Sequence, residues 1–534
     1  MTGELLSRRQ MLGVAGAGSV ALASALAGCR NAASYPESWE DVSAGGGEPN
    51  RGGVLRYGLS TEPVNFEPHV SSGAASDVIR QMTYNGLLRY DADGEIVPDL
   101  AREHEWANAT TYRVRIRPDV RFHDGSTMTA DDVVFSMRRI MDPDVSSTAA
   151  SLFRAVESVD RSGGDTVTFT LGEPDTTFPF ALADPCANII SRDWAESGAD
   201  PLLEVMGTGP FRFVERVPGV SILLERFEDY FVPELPYLNA IEFTPMEDDY
   251  ARVTALRTAT VDMIDYIPST HVGVIENNPS LEVYSDSTFG FGILGFVTTQ
   301  PPFDDKRVRQ AVAYSIDREA ALETAYLGQG APITGGLVPE GIASYASELA
   351  GTVTYDPERA AALLRKAGRE ELDLSMITTS SYSVIARPAE AMLPSLRASV
   401  VNPSLDRQEW LSFQETVEAK TYPSFAWGTS LKFGHPGALS EIVGAGSRWA
   451  NFLDFDDGRT NELLSEARRT ADPGLSDELF LEAERRVLDE MPLTYTLRRI
   501  QGEAAYTYVR GFSHPPKGAW TQVSLRGVWL EENR

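Results

Sequence analysis

Residues 112–136 read YRVRIRPDVRFHDGSTMTADDVVFS, and this stretch carries three successive structural signals. Its first part alternates arginines with apolar side chains, which predicts a half-buried β-strand: the apolar residues are Tyr112, Val114 and Ile116. The segment 123–126 then predicts a turn. Thr129 is a suitable N-cap for a helix with one apolar stripe, at Val133, Val134, Met137, Ile140 and Met141. The stretch therefore predicts a strand, a turn and a helix in direct succession.

Strands and helices alternate along the rest of the chain. Short apolar or alternating runs predict strands at Val54–Leu59, 167–171 and 261–264. Helical periodicity predicts helices at 249–260, 307–327 and 476–491, and a further helix that begins at Asp356-Pro357 and ends at Gly368. For 307–327 we predict one long helix, followed by Gly328 at its C′ position. The mixture predicts α/β or α+β layers with more than one sheet.

Length and composition exclude several classes of protein. The chain has 534 residues, enough for about two to four domains, and its 42% hydrophobic and 23% charged residues are typical of globular proteins. The 77 acidic residues outnumber the 47 basic ones, giving a formal charge of −30. This excess argues against nucleic-acid binding, because phosphate contacts need clustered Lys and Arg. Two cysteines exclude a disulfide-dense scaffold, and six isolated histidines predict no metal site.

The chain contains no recognisable catalytic motif. The HExxH metal motif and the GxSxG nucleophile elbow are both absent from the sequence. Residues 207–211 read GTGPF and look like a phosphate loop, but they lack its Gly-Lys ending, and Pro210 removes a backbone N–H. We interpret this segment as a tight structural turn. The sequence therefore predicts a protein that is not an enzyme and needs no cofactor.

The amino terminus predicts export and a lipid anchor. Residues 1–28 place the arginine pair Arg8-Arg9 before an uncharged, mildly hydrophobic stretch, which predicts a signal peptide of the twin-arginine type. The sequence LAGC at 26–29 resembles a bacterial lipobox, in which Cys29 becomes the lipidated amino terminus. A weak anchor helix, an incidental cysteine and the general secretory route are the alternatives. Residues 29–52 predict a flexible tether, and no later apolar run is long enough to span a membrane.

Taken together, the motifs of the body resemble the extracellular solute-binding protein family 5 of bacterial ABC importers, the group of oligopeptide-, dipeptide- and nickel-binding proteins. The resemblance runs from about residue 53 to the carboxyl terminus. It rests first on the strand, turn and helix of 112–136. Further motifs follow in the family's order, at 207–211, 224–226, 229–231, 235–238, 302–305, 307–311, 315–318 and 355–357.

The resemblance implies an α/β fold with two lobes, of the large type II periplasmic-binding-protein class with an extra subdomain, hinged by two crossing strands. Lobe I would be discontinuous, with an inserted subdomain; the implied ranges are 53–95, 207–290 and 500–534 for lobe I, 96–206 for the subdomain and 291–499 for lobe II. The hinge would lie near 291–297 and 493–499. A solute that contacts both lobes only in the closed form would favour closure. The closed protein would then dock on the permease subunits.

The resemblance also implies ligand-binding residues in three stretches. These are Ser72 and Ala74 after the first strand, Asp265 and Tyr266 after the 261–264 strand, and Trp427, Gly428, Thr429 and Ser430 in lobe II. A position in the core is the alternative for Trp427. Peptide binders place an aspartate a few residues after this tryptophan to hold the peptide's amino terminus, where this chain has Ser430.

That departure bears on the ligand, because an ammonium group buried without a counter-charge is costly. Either Asp265 supplies the charge, or the ligand is a sugar, opine, siderophore or metal chelate rather than a peptide with a free amino terminus. We expect His435, which follows in the same region, to be a loop histidine rather than a contact to a metal complex.

The leading hypothesis is a monomeric, lipid-anchored solute-binding protein of an ABC importer, on the outer face of the cell membrane. Its partners would be a peptide or another small solute, the permease, and the membrane through the lipid on Cys29. A secreted hydrolase on a two-lobed scaffold is the first alternative, and release of product would support it. A ligand sensor or chaperone without transport is the second, and unchanged uptake in a deletion strain would support it.

Overall fold

The computed structural model describes residues 48–70, 73–91, 96–200, 204–340, 345–431, 434–512 and 525–531. The predicted signal peptide, Cys29, the tether up to residue 47 and Ser72 lie outside these residues. Within the described ranges, no helix combines the length and the hydropathy that crossing a bilayer requires.

Strands and helices alternate along the chain, as the sequence predicts. The strands are β1 (Val54–Leu59), β2 (Leu88–Tyr90), β3 (Ile96–Pro98), β4 (Ala101–Asn108), β5 (Thr111–Ile116), β6 (Val156–Gly163), β7 (Thr166–Leu171), β8 (Phe211–Val217), β9 (Ser221–Arg226), β10 (Ala240–Pro245), β11 (Met263–Ile264), β12 (Leu281–Phe296), β13 (Gly330–Pro332), β14 (Leu372–Thr379), β15 (Val401–Gln408), β16 (Ser424–Ser430), β17 (Leu493–Tyr506), β18 (Val509–Arg510) and β19 (Trp529–Leu530). The helices are α1 (Ala74–Thr83), α2 (Ala130–Met141), α3 (Phe178–Leu182), α4 (Arg192–Glu196), α5 (Asp249–Arg257), α6 (Val272–Glu276), α7 (Lys306–Tyr314), α8 (Arg318–Tyr326), α9 (Pro357–Lys366), α10 (Ser383–Ala391), α11 (Leu393–Arg397), α12 (Trp410–Glu418), α13 (Leu439–Val443), α14 (Arg448–Leu453), α15 (Gly458–Arg469) and α16 (Pro473–Glu490).

One large mixed sheet runs through the molecule. Its order among the described strands is β15-β14-β16-β12-β17-β11-β1-β10-β9-β8, with β13 paired to β17. β1 is parallel to β10 and β11, and β14 is parallel to β15 and β16. We call the part from β11 to β8 lobe I and the part from β15 to β16 lobe II. Each lobe has its own buried apolar cluster.

Two long strands, β12 and β17, join the lobes. They pair antiparallel from Leu281 and Tyr506 in lobe I to Gly295 and Leu493 in lobe II. Their register shifts between Ser287 and Phe291, opposite residues 498–500. A two-lobed α/β fold with two crossing strands is therefore confirmed. The irregularity begins a few residues before the 291–297 segment that we expected to be the hinge.

The stretch 112–136 forms part of a separate four-stranded sheet, β4-β5-β7-β6, with α2 packed on it. Along β5 the alternate apolar side chains are buried and the arginines between them are exposed, as predicted. Thr129 and Asp132 form a capping box at the start of α2, in which the Thr129 N–H donates to Asp132 Oδ2 at 2.9 Å. We call this unit, with its own apolar cluster, the subdomain.

The prediction of one long helix over 307–327 is wrong. The chain forms α7 and α8 instead, because the Asp317 carboxylate accepts from the Ala320 N–H at 3.0 Å and starts a second helix. The Arg318 side chain is buried and donates to the Tyr495 carbonyl at 2.9 Å and to Thr494 Oγ1 at 2.7 Å. The hydrophobic pattern continues through both helices, so it does not reveal the break. Gly328 follows α8 with φ 77°, as its predicted C′ position requires.

Residues 207–211 cross the end of α1 instead of closing a tight turn. The Gly209 N–H donates to the Thr83 carbonyl at 3.0 Å, and the Gly207 carbonyl accepts from the His123 N–H at 3.0 Å. The two glycines are needed because the backbones approach each other closely: a Cβ on either residue would overlap the end of α1.

The subdomain contacts both lobes. Toward lobe II, the His435 ring lies between Phe180 of the subdomain and Phe480 of α16, with ring centroids 5.2 and 5.4 Å apart. Arg154 Nη1 also donates to Glu441 Oε1 at 3.3 Å. Toward lobe I, Arg139 of α2 donates to Glu67 Oε1 at 2.8 Å and to His69 Nδ1 at 2.9 Å. His435 is thus a packed loop residue, and the described residues contain no cluster of side chains suited to a metal ion.

His69 is fully buried at the junction between lobe I and the subdomain. Its Nε2–H donates to the Asn188 carbonyl at 2.9 Å, and its Nδ1 accepts from Arg139 Nη1 at 2.9 Å. The second bond needs a neutral imidazole, because a protonated Nδ1 could not accept from the guanidinium. Burial is the main reason that the pKa of His69 falls to about 4.

We expect this histidine to make stability depend on pH. Between its folded pKa and the value of about 6.5 for an unfolded histidine, only the unfolded chain takes up a proton. The contribution to the free energy of unfolding is therefore complete above about pH 6.5 and is lost as the pH falls toward 4. Urea unfolding at pH 7 and pH 5 should show a larger loss of stability for the wild type than for His69→Gln. An equal loss in the two proteins would contradict this assignment.

Candidate functional site

A cavity of about 870 Å³ lies between the two lobes. Lobe I contributes the segment after β1, the start of α1 and the segment after β11. Lobe II contributes the end of α8 and the loop that leads from β14 into α10. The hinge strand β17 closes the back of the cavity at Arg499 and Ile500. The volume suits a small solute rather than a folded partner.

The wall in lobe I is organised by a buried arginine. Arg252 of α5 is 1% exposed and donates to three backbone carbonyls, of Met246 at 2.7 Å, Tyr266 at 2.9 Å and Asp265 at 3.2 Å. Its Nη2 also donates to Asp249 Oδ1 at 2.7 Å. These bonds fix the segment after β11, in which Tyr266 has the left-handed φ of 45°. A single guanidinium therefore sets the shape of this wall.

Asp265 and Tyr266, two of the predicted site residues, follow β11 as expected but differ in their access to the cavity. Tyr266 lines it, with the Arg499 guanidinium carbon 5.5 Å from the centre of its ring. Asp265 is 1% exposed and lies behind Ser60, whose backbone N–H and hydroxyl donate to its carboxylate at 2.7 and 3.2 Å. Burial is the main reason that the pKa of Asp265 rises to about 6. Ser60, not Asp265, therefore presents the polar surface to a solute.

The four predicted residues of β16 lie beside the hinge strand β12, where Trp427 pairs with Ile293 and Ser430 with Gly290. The Trp427 ring is packed in an aromatic cluster in lobe II; its neighbours, with centroids 4.7 to 5.8 Å away, are Phe413, Trp410, Trp449 and Phe452. At 6% exposure, Trp427 occupies the core position that was its alternative. Gly428, Thr429 and Ser430 are half-buried and are not among the described residues that line this cavity. Their role in binding stays a prediction.

Two further predicted residues belong to the region around α1. Ala74 is the first residue of this helix, and its neighbours Gly73, Ala75 and Ser76 line the cavity. Ser72 lies outside the described residues, so the prediction for it is not tested.

Sequence reasoning missed the surface that lobe II presents to the cavity. It includes Tyr326 at the end of α8, Gln329, residues 381–384 after β14, and Arg387 in α10. β14 is parallel to both of its neighbours, and ligands of α/β proteins bind beyond the carboxyl ends of such strands. That rule, applied to the strand at 372–379, is the signal that could have found this surface.

Some charged groups of the cavity form ion pairs with described residues, and others do not. Glu62 accepts from Arg216 Nε at 3.0 Å, and Asp249 is paired with Arg252. Arg387 is exposed and makes no ion pair with any described residue. Glu247 is also exposed, at the rim of lobe I. The arrangement of described residues can bind a polar or charged solute.

Comparison with known proteins identifies the family. The model of bacterial extracellular solute-binding proteins, family 5, matches residues 95–451. The glutathione-binding protein GsiB of Pectobacterium atrosepticum is 30% identical over 306 residues, which are 57% of this chain and 59% of that relative. Heme-binding protein A of Haemophilus influenzae is 26% identical over 537 residues, covering 94% of this chain and 97% of the relative.

A solved structure supports the same conclusion. The binding protein AgaA from A. tumefaciens R10, in complex with agropinic acid, superposes with a TM-score of 0.82 and 30% identity, covering 90% of this chain and 99% of AgaA. The family match exceeds half of the chain, and the two-lobed architecture agrees with it. The chain therefore belongs to the bacterial extracellular solute-binding proteins of family 5.

Proposed function

We propose that this protein captures a small polar solute between its lobes and delivers it to the permease of an ABC importer, without chemical turnover. One observation carries the proposal: a cavity of about 870 Å³ is lined by both lobes, and β12 and β17 connect them. A solute that touches both walls binds the closed form more tightly than the open form, so binding shifts the population toward closure. Membership of the extracellular solute-binding proteins of family 5 supports the same role.

The relatives bind different solutes, so their names do not identify the solute of this protein. GsiB is a glutathione binder, another relative binds heme, and AgaA holds agropinic acid. The absence of an aspartate near Ser430, and the burial of Asp265 behind Ser60, weigh against a peptide held by its amino terminus. A peptide with a free amino terminus is therefore a less suitable ligand than a solute without an ammonium group.

The transport role is tested by solute uptake and binding together. The wild-type protein is purified from its host, and any small molecule released on denaturation is identified by mass spectrometry. Uptake of that molecule, in radiolabelled form, is then compared between the parent strain and a deletion strain. We expect uptake to fall to background on deletion and to return with the wild-type gene. Unchanged uptake would favour a sensor, and release of a cleaved product by the purified protein would favour a hydrolase.

We further propose that the protein is exported by the twin-arginine route and held at the outer face of the membrane by a lipid on Cys29. The support is the arginine pair at 8–9 and the LAGC sequence that ends at Cys29. The tether that the sequence predicts at 29–52 would let the body reach the permease from its anchor.

Cys29→Ala should release the protein from membranes. Without the thiol no lipid can be attached, and the remaining signal segment is a poor spanning helix, so the variant should be found in the soluble extracytoplasmic fraction. Fractionation followed by immunoblotting measures the distribution, and Cys186→Ala serves as the matched cysteine control. A Cys29→Ala protein that stays in the membrane pellet would contradict lipidation at this residue.

A further inference from the structure

We propose that the solute is an organic acid, bound through its carboxylate between Arg387 of lobe II and Arg499 of the hinge strand, with a hydroxyl- or amide-bearing remainder on lobe I. This inference rests on the proposed function and adds to it the chemical class of the solute.

Both arginines line the cavity between the lobes. Arg387 projects from α10 and Arg499 from β17. Both are close enough to Tyr326 for their charges to oppose the rise of its pKa, which burial brings to about 12. Arg499 also lies against the Tyr266 ring, 5.5 Å from its centre. The cavity therefore concentrates two positive charges beside two aromatic rings.

Two guanidinium groups in one cavity repel each other, and an anion between them removes that repulsion. Guanidinium is also the side chain best suited to a carboxylate, because its planar N–H donors match the two oxygens. Arg387 makes no ion pair with any described residue, so a carboxylate bound to it would displace no described ion pair of this arginine. The flanking tyrosines can cover the apolar part of such an acid.

The opposite wall offers little to an ammonium group. The carboxylates of Glu62, Asp249 and Asp265 are already bonded to Arg216, Arg252 and Ser60 respectively. Glu247 is the exception among the described carboxylates of the cavity, and it lies at the exposed rim. What lobe I presents inside the cavity is mainly hydroxyl groups, at Ser60, Thr61, Ser76 and Ser269. Hydroxyl and amide groups of a solute pair well with such a wall, whereas a buried ammonium would lack a counter-charge.

The position of the two arginines also links binding to closure. Arg499 lies beside the register shift between β12 and β17, the two strands that join the lobes, whereas Arg387 belongs to lobe II alone. A carboxylate held by both residues, with its remainder on lobe I, would connect the two walls. Such a solute would make more contacts in the closed form than in the open form, and its binding would therefore favour closure.

The class of solute is tested with four probes at 10 mM in a thermal-shift assay on the wild-type protein. Gluconate and N-acetyl-L-glutamate are acids without an ammonium group, glucose is neutral, and trialanine carries both charges. We expect one or both acids to raise the unfolding midpoint, because a ligand that binds only the folded state stabilises it, and glucose and trialanine to leave it unchanged. A rise with glucose or trialanine but with neither acid would overturn the proposal.

The residues are tested by titrating the acid that gives the larger shift into three variants. Arg387→Gln should weaken its binding at least tenfold, since a charged hydrogen bond is lost. Arg365→Gln, which changes an exposed arginine of α9 in the same lobe, is the matched control and should bind as the wild type does. Glu247→Gln tests the opposite class of solute, because a tenfold loss in this variant would indicate an ammonium contact at the rim and would contradict the proposed class. Unchanged affinity in Arg387→Gln would overturn the carboxylate site. The binding results for these variants do not test the transport role, which the uptake assay tests separately.

Discussion

Gly207→Ala should destabilise the protein by about 3 kcal/mol or more, because the new methyl group has no space. It would overlap the carbonyl oxygen of Thr83 at the end of α1 and lie 2.7 Å from Tyr84 Cδ1. A backbone carbonyl cannot move aside as a flexible side chain can. Relief would require α1 to shift away from the Gly209 N–H that bonds to the same carbonyl. Because α1 also borders the cavity, we expect weaker solute binding as well.

Urea unfolding followed by circular dichroism measures this loss. Gly164→Ala is the matched control, since that exposed glycine of the β6–β7 hairpin has no atom near an added Cβ. The control should unfold within about 0.5 kcal/mol of the wild type. If the two variants had the same midpoint, close contact at Gly207 would be disproved.

Arg252→Met should have a comparably large effect, through polar groups rather than through space. Methionine fills much of the same volume but leaves the carbonyls of Met246, Asp265 and Tyr266 without their donor. Each buried acceptor left unsatisfied costs about 1–3 kcal/mol, so we expect a loss of at least about 3 kcal/mol. The segment carrying Tyr266 would also lose its fixed conformation, and solute affinity should fall.

Arg257→Met is the control for this substitution. It changes an exposed arginine at the other end of α5 and removes no contact to the cavity wall. Chemical denaturation of both variants gives the comparison. A loss in Arg252→Met no greater than that in Arg257→Met would show that the guanidinium does not organise the wall.

Local signals account for the parts of the fold that the sequence predicts. The alternation in β5, the capping box of α2 and the apolar strand β1 are all determined by residues within a few positions of one another. The break between α7 and α8 has a local part, the Asp317 cap, and a distant part, because Arg318 turns inward to reach Thr494 and Tyr495, which lie far along the chain. Contacts between distant segments leave no trace in the local hydrophobic period.

The candidate site likewise contains residues that a local pattern reveals and residues that only the fold reveals. Tyr266 could be placed because it follows a recognisable strand, whereas Trp427 belongs to the aromatic core that its neighbours Trp410 and Trp449 build. Arg387 carries no motif of its own. It becomes a candidate only when the fold brings α10 opposite the segment after β11, and that depends on how the two lobes face each other.

The position of β17 in the sheet has a consequence for biosynthesis. β17 lies between β12 and β11, so the sheet lacks its middle strand until translation has passed residue 506. Until then β11 and β12 present unpaired edges, and unpaired edges invite association with other chains. The sheet of lobe I can therefore be completed only after most of the chain has been made, although its first strand is made early.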